Sequence, residues 1–236
     1  MRILRGLRGL LCLLIVLAGT AHANPGYYLL TPYSQAGEWD VDTRFWAVRV
    51  HGGGTADWPE IGLRYGVNDR WTTELLASFE GPTLDKQSLD SWNWQNEILL
   101  TQGQSPFDLA LHLQVIQSPD DGRLLQWGTV FQTELGLTRL NFNVVFEHQY
   151  QAGAPSTQLK LQWQALYPVA RGVRLGVLGF SELGDWAHWS TSRQSNRAGP
   201  SLELALPFGT LQAAYPFGKT FGVPADMLTA HLSIPF

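Results

Sequence analysis

The sequence is almost without cysteine, and its single cysteine lies in a segment that we expect to be removed. Cys12 falls within a short apolar run, residues 10–17, which three arginines precede and the box Ala21-His22-Ala23 follows. A basic start, a short apolar run and a small-residue box are the three parts of a cleaved secretory signal peptide. The alternative, a membrane-anchor helix, needs ~20 apolar residues, more than this run provides. We therefore predict a signal peptide over residues 1–23 and a mature domain over residues 24–236 without disulfides.

The sequence also lacks an excess of positive charge and long apolar runs. Its formal net charge is −4, and loss of the three arginines with the signal peptide changes it to −7. Because nucleic-acid binding depends on basic patches, we expect no nucleic-acid partner. Beyond the predicted signal, no apolar run reaches the length of a spanning helix. A mature chain that enters a membrane must then do so as β-strands.

Signatures of catalysis and of metal binding are missing as well. His51-Gly52-Gly53-Gly54 resembles an esterase oxyanion loop, but no Gly-x-Ser-x-Gly nucleophile motif accompanies it. His231 and Ser233 share one face of the last predicted strand, with no acid that we can place beside them. His148 is predicted to face outward alone, and the mature histidines show no metal-ligand spacing. We expect no enzyme, no cofactor and no metal site; a lipid-modifying membrane enzyme is the least favoured alternative.

What the sequence has instead is alternation of apolar and polar residues, which is typical of strands with two different faces. In the clearest case, residues 71–79, Trp71, Leu75 and Phe79 alternate with polar residues. The last ten residues alternate similarly and end on Phe236, resembling the terminal strand of bacterial outer-membrane barrels. All such stretches together predict roughly 12 strands, as expected of a transmembrane β-barrel. Pro200 and the weak stretch 211–215 leave the count open between about 10 and about 14.

Two stretches fit this pattern less well. Residues 24–37 contain several prolines and glycines and are interpreted as an irregular lead-in. In the first strand candidate, residues 38–51, the apolar face passes from Phe45 to Trp46 and Val48. A β-bulge near Phe45 would produce this change of phase, and we predict one there.

Turn lengths and aromatic residues give the predicted barrel a direction. Turns such as residues 66–70, 103–105 and 136–139 are short, whereas connections on the other side, such as residues 81–90, 184–197 and 218–225, are generally longer. Outward aromatic residues collect near both predicted ends, as in the girdles of membrane barrels. Those at the short-turn end are Trp39, Tyr65, Trp71, Phe107, Tyr167, Phe208 and Phe236. We therefore predict an all-β, transmembrane antiparallel barrel with periplasmic termini; a soluble β-sandwich or lipocalin-type barrel is the alternative.

One stretch carries a family resemblance. Pro59-Glu-Ile-Gly-Leu-Arg-Tyr-Gly-Val-Asn-Asp-Arg70, followed by the strand of residues 71–79, resembles the opening of the outer-membrane family linked to the meta-pathway of phenol degradation. Two other stretches, Ala198-Gly-Pro-Ser-Leu202 and the terminal strand, also resemble sequences of that family. The resemblance implies a barrel that passes small molecules, aromatic ones among them, and it identifies no particular substrate.

The predicted inward face is charged. The candidates for the lining of the lumen are Arg44, Glu60, Arg64, Glu74, Glu97, Glu134, Glu147, Lys160, Arg174, Glu182 and Glu203. One interpretation is a filling of ion pairs that closes the barrel, since charges inside it must be paired or hydrated. The other is a narrow, mainly acidic, water-filled passage. The longest predicted loop contains Trp186, Trp189, Arg193 and Arg197. These residues are candidates for a constriction that folds inward; the alternatives are a ligand-binding loop outside the barrel and a solvated loop.

These predictions lead to one functional hypothesis and its alternatives. We expect a monomeric outer-membrane protein that acts as a passive channel or uptake protein for small solutes, in contact with outer-membrane lipid and lipopolysaccharide. Phe236 is the expected assembly signal for the barrel-assembly machinery. The main alternative is a structural or surface-interaction barrel with a closed lumen, and the lipid-modifying enzyme comes last.

Overall fold

The structure, a computed structural model, describes residues 27–101, 103–119, 122–150, 156–189 and 193–236. The predicted signal peptide lies outside the described residues. The described residues form strands, turns and irregular segments, without a helix. In this part of the chain, therefore, no helix is long and apolar enough to cross a membrane.

Twelve antiparallel strands close into a barrel. In chain order the strands are β1 (Trp39–Val50), β2 (Thr55–Asn68), β3 (Trp71–Glu80), β4 (Ser88–Leu99), β5 (Phe107–Ser118), β6 (Gly122–Leu135), β7 (Thr138–Tyr150), β8 (Gln158–Ala170), β9 (Val173–Asp185), β10 (His188–Trp189), β11 (Asn196–Leu206), β12 (Gly209–Ala214), β13 (Phe217–Thr220) and β14 (Val223–Pro235). β10 is a short extension beside β9, and β12 and β13 lie end to end between β11 and β14 as one barrel strand. Pairing of β1 with β14 closes the barrel, which confirms the predicted all-β barrel.

Prolines account for the break between β12 and β13. Pro216 has no N–H to donate to the ladder, and neither does Pro200 in β11. The N–H of Tyr215 still donates to the Pro200 carbonyl at 3.0 Å, and the N–H of Met227 donates to the Pro216 carbonyl at 2.9 Å. β11 keeps one register with both β12 and β13, so the strand continues past the break.

The predicted bulge near Phe45 is wrong. β1 pairs with β2 and with β14 without a register shift. Asp42, Arg44, Trp46 and Val48 are all buried, as expected when alternate residues of a regular strand face the same side. Trp46 and Val48 therefore face inward, as Asp42 and Arg44 do. The inward residues change from polar to apolar along β1 because this part of the lumen is itself apolar.

The two ends of the barrel differ, and we name them by their connections. At the turn end, two-residue turns occupy residues 69–70, 136–137, 171–172 and 207–208. Trp39 and Phe236 also lie at this end. The N–H of Phe236 donates to the Trp39 carbonyl at 2.9 Å. At the loop end the connections are generally longer, for example residues 81–87 and 186–195.

Two connections differ from the predicted lengths. The last one at the loop end was expected over residues 218–225, but it is a two-residue turn of Phe221 and Gly222, with φ of 47° and 82°. At the turn end, residues 100–106 form a longer connection than expected, because β4 ends at Leu99. The general contrast between the ends is still present.

The outer surface is apolar. Leu75, Trp92 and Leu113 project outward with 64%, 59% and 47% of their surface exposed. Trp39, Tyr167 and Phe208 are exposed at the turn end, and Tyr150 and Tyr215 are exposed near the loop end. An apolar band between two rows of aromatic residues is the surface expected of a barrel that crosses a membrane.

Candidate functional site

The lumen holds the chain's own residues 27–35, here called the lumen segment. Tyr28, Leu29 and Leu30 are buried inside the barrel. The segment leads into β1 at the turn end, where a Cβ on Gly66 would collide with the Gln35 carbonyl. A glycine at that position therefore permits the close approach. Sequence reasoning had interpreted these residues only as an irregular lead-in, so the occupant of the lumen was missed.

Tyr27 occupies a pocket in the loop-end half of the lumen. Its hydroxyl donates to the Glu182 carboxylate. Its ring meets the rings of Trp46 and Phe180 edge-on, with centroids 6.4 Å and 5.6 Å away. The guanidinium carbon of Arg197 lies 4.4 Å from the ring centre. Residues of β1, β9 and β11 thus enclose one phenol ring.

Two further tyrosines bind at other depths of the lumen. The Tyr28 hydroxyl donates to Oε1 of Gln95 at 2.5 Å. Nearer the turn end, the Tyr33 hydroxyl donates to Asp108 at 3.1 Å and accepts a hydrogen bond from Gln132. The three phenol hydroxyls of the segment are therefore all hydrogen-bonded to polar side chains of the wall.

Side chains, rather than a strand ladder, hold the segment in place. Nδ2 of Asn143 donates to the Leu30 carbonyl at 3.1 Å, and the Thr72 hydroxyl donates to the Tyr33 carbonyl at 3.4 Å. Among the described residues, no backbone–backbone hydrogen bond involves residues 27–34. The segment lies inside the barrel without belonging to its sheet.

The segment leaves little free space beside it. Two internal cavities along it measure about 20 Å³ each, close to the minimum that holds one water molecule. A larger space of about 730 Å³ opens at the turn-end mouth, bordered by Tyr33, Arg64 and Phe208. Between the turn-end mouth and the pocket of Tyr27, the two cavities that the described residues line therefore hold little more than one water molecule each.

A charged wall faces the segment from β1, β2 and β3. One guanidinium nitrogen of Arg44 lies 3.1 Å from Asp42 and 2.6 Å from Glu74, and the other lies 3.8 Å from Glu60. Beside them, Arg64 contacts Asp40 at 3.1 Å. Four carboxyl groups, those of Asp40, Asp42, Glu60 and Glu74, share this wall with two guanidinium groups.

The remaining predicted lumen residues are mostly found in pairs. Glu147 lies 2.8 Å from Lys160, and Glu203 lies 2.8 Å from Arg174. Glu203 also binds Arg139, a residue missing from the sequence-based set. Glu97 is 3.9 Å from the ring of His112. Glu134, by contrast, is exposed near the end of β6 at the turn end.

A second wall, from β4 to β8, carries mainly amides. We call it the amide wall; its buried members are Asn93, Gln95, Gln114, Gln126, Gln132, Asn141, Asn143, Gln162 and Gln164. Nδ2 of Asn143 donates to Gln162 at 3.1 Å, and Nδ2 of Asn141 donates to Gln164 at 3.4 Å. Sequence reasoning collected only the charged inward residues and so missed this wall, although the same alternation identifies its members.

His231 has a partner that the sequence did not suggest. Its Nε2 lies 2.5 Å from Oδ1 of Asp42, across the seam of β14 and β1. Ser233 instead donates to Asp40 at 3.1 Å and accepts from Arg64 at 2.8 Å. The expectation that no acid lies beside His231 was therefore wrong. The hydrogen bonds of Ser233 nevertheless go to Asp40 and Arg64 and not to His231.

The predicted loop constriction is not brought together. Trp186 and Trp189 are 57% and 66% exposed, and the Trp189 indole N–H donates to the Trp186 carbonyl. Arg193 is exposed as well. Arg197 belongs to β11 and is buried against Tyr27, where it donates to the Thr220 hydroxyl at 2.7 Å. Of the four residues, only Arg197 borders the lumen segment.

Metal coordination finds no support in the described part of the chain. There, no group of three or more His, Cys, Asp or Glu residues has a geometry that could hold a metal ion.

Comparisons with known proteins show the fold and leave the family open. No family model matches the chain, and no curated protein matches it. A structure of the NanC porin is similar, with a TM-score of 0.57 and 10% identity over 82% of this chain and 98% of that chain. The translocator domain of autotransporter NalP from Neisseria meningitidis gives a TM-score of 0.48 and 11% identity, over 84% of this chain and 88% of that chain. The likeness to NanC shows a β-barrel of the outer-membrane type; the resemblance to the phenol-degradation family is not confirmed.

Proposed function

We propose that the protein is an outer-membrane channel for small solutes, closed in this conformation by its own lumen segment. The observation that carries the proposal is that residues 27–34 fill the lumen without joining the sheet. Side chains that belong to the wall occupy the lumen permanently. A segment that is held only by side-chain contacts can leave while the barrel stays intact. The apolar outer band and the barrel fold shared with the NanC porin support a place in the outer membrane.

Small aromatic solutes are the class that the lumen fits best. Tyr27 occupies a pocket that supplies ring contacts, a cation beside the ring and a carboxylate for the hydroxyl. Tyr28 and Tyr33 supply two more phenol positions at other depths. When the segment leaves, the groups that bind these three rings are available to a phenolic solute. The resemblance of residues 59–79 to the meta-pathway family points the same way.

A structural barrel with a closed lumen is the second candidate. It is favoured by the ion pairs around Arg44 and by the small size, about 20 Å³ each, of the two cavities that described residues line beside Tyr28. In that case the segment serves as a core, and removing its side chains destabilises the barrel without opening a path.

Planar-bilayer conductance separates the two candidates. The variant for this test replaces Tyr27, Tyr28 and Tyr33 with serine, which removes the rings and keeps the chain length; we call it the opened variant. We expect low conductance from the parent protein, with brief openings, and a larger, steady conductance from the opened variant. We also expect 4-hydroxybenzyl alcohol, an uncharged phenol, to reduce the current of the opened variant.

The control replaces the exposed tyrosines Tyr150 and Tyr215 of the outer surface with serine and should behave like the parent. Heat-modifiable migration on gels confirms that each variant is folded. If folded parent and folded opened variant both fail to conduct above the bare bilayer, the channel proposal is wrong and the structural barrel is favoured. If the opened variant conducts but the phenol has no effect, only the aromatic class is wrong.

A further inference from the structure

The amide wall presents mainly hydrogen-bonding groups without formal charge to the lumen. On β5 to β7 it presents Gln114 and Asn143 near the middle of their strands, and Gln132 and Asn141 nearer the turn end. Charged residues of β5 to β8 include Asp108, which pairs with Gln132 near the turn end, and the Glu147–Lys160 pair toward the loop end. A solute in the middle of the barrel thus has a charged wall on one side and a neutral, polar wall on the other.

The amide wall already binds uncharged oxygen groups. Gln95 accepts from the Tyr28 hydroxyl, Gln132 donates to the Tyr33 hydroxyl, and Asn143 donates to the Leu30 carbonyl. A side-chain amide has both a donor and an acceptor, so it matches hydroxyl and carbonyl groups without requiring a countercharge. The bound groups of the lumen segment show which chemistry this wall accommodates.

Several amide oxygens of the wall have no hydrogen-bond partner within the described part of the chain. They are Oε1 of Gln114 and Gln132 and Oδ1 of Asn141 and Asn143. These four residues are between 0% and 4% exposed. Buried acceptors are normally satisfied, and leaving one unpaired is costly. The row of acceptors therefore suits a guest that brings several O–H or N–H donors.

We propose that the amide wall selects uncharged, hydroxyl-bearing solutes over anions of the same size. The inference rests on the proposed channel function and names the chemistry of its solutes. Neutral hydroxyl groups exchange hydrogen bonds with the amides as they pass. A carboxylate can accept hydrogen bonds from the amide N–H groups, but it brings no donor for the unpaired amide oxygens, and it meets the carboxyl groups of the charged wall.

Swelling of proteoliposomes tests this selection, with the opened variant as parent. Glucose and glucuronate are the probes, because they have similar size and differ by one carboxylate. We expect the vesicles to swell faster in glucose. Replacing Gln114 and Asn141 with leucine keeps the volume close and removes the amides, and it should slow glucose entry by about five-fold per amide lost. Potassium chloride conductance should change much less.

A matched control and a second variant keep the result interpretable. Gln117→Leu alters the outward face of β5 and should leave both probes unchanged. Asn141→Asp keeps the shape of the side chain and adds a charge, so it should raise the ratio of glucose to glucuronate entry. All variants are first checked for heat-modifiable migration.

The outcomes are distinct. Equal swelling rates in glucose and glucuronate, or a glucose rate that the leucine variant leaves unchanged, overturn the selection but not the channel. If the leucine variant loses glucose entry and conductance to the same extent, the pore has only become narrower, and the selection is overturned as well. If the folded opened variant admits neither probe and carries no current, the channel function fails, and the inference fails with it.

Discussion

The guanidinium carbon of Arg44 lies 3.7 Å from the centre of the Tyr28 ring, so one arginine joins the charged wall to the lumen segment. The same guanidinium contacts Asp42 and Glu74, both buried. A cation that faces an aromatic ring in a dry site contributes about 2 kcal/mol or more. The position of the segment and the stability of the wall are therefore coupled through Arg44.

Replacing Arg44 with methionine should destabilise the barrel strongly. Asp42, Glu60 and Glu74 would remain buried around a position that has lost its cation, and breaking such a buried arrangement costs about 3–5 kcal/mol. Urea-dependent unfolding in lipid vesicles, followed by tryptophan fluorescence, measures the loss. Arg174→Met is the control, because the Arg174 side chain is 39% exposed beside Glu203. Its effect should stay below about 1 kcal/mol; equal losses in both variants would contradict the central role of Arg44.

Tyr28 variants should change how often the channel is open, in proportion to the contacts they remove. Tyr28→Phe keeps the ring beside Arg44 and loses the hydrogen bond to Gln95, worth about 1 kcal/mol, so the open-to-closed ratio should rise about five-fold. Tyr28→Ala loses both contacts and should open the channel further. Single-channel recordings give the ratio directly. If the alanine variant gates like the parent, Tyr28 does not hold the segment closed.

The opened variant should prefer cations. Its charged wall contains more carboxylates than guanidinium groups, and a narrow, low-dielectric passage concentrates the counter-ion of its lining. Reversal potentials in a potassium chloride gradient measure the preference. Glu60→Gln should weaken it, since Glu60 is buried in the wall. Glu134→Gln, at the exposed turn-end rim, should change it less; anion preference in the opened variant would overturn this prediction.

Deleting Phe236 should impair assembly into the membrane. Phe236 directly follows β14, the strand that closes the barrel; its side chain is 73% exposed, and its N–H donates to the Trp39 carbonyl. We expect the barrel-assembly machinery to use this residue as its signal. The folded fraction in isolated outer membranes, measured by heat-modifiable migration, should fall. Phe208→Ala, which removes an exposed aromatic at the same end, is the control. Normal folding without Phe236 would show that the signal lies elsewhere.

Strand alternation made most of the barrel predictable. Trp71, Leu75 and Phe79 alternate with polar residues because lipid and lumen impose opposite demands on the two faces of β3. The same reasoning failed in β1, where it assumed a polar lumen throughout. Trp46 and Val48 are inward because they contact the lumen segment, and no local pattern in residues 38–51 carries that information.

The candidate site was predictable only in part. The inward direction of charged residues such as Glu74 and Arg64 follows from the alternation of side chains between the two faces of a strand. The contact of Tyr27 with Glu182 joins positions 155 residues apart, and it depends on the path of an irregular segment through the barrel. Tertiary contacts of this kind have no periodicity from which to read them. Three tyrosines within residues 27–33 were the available signal.

The course of the lumen segment also limits the order in which the chain can fold. The segment leads directly into β1, and β1 gains its second neighbour only when β14, the final strand, pairs with it. His231 and Asp42 then meet across that seam on the inner side. A segment left outside at this moment would have to thread through a finished cylinder. Enclosure of the segment and closure of the sheet therefore form a single late event. This event is slow, because β1 and β14 are far apart in the sequence.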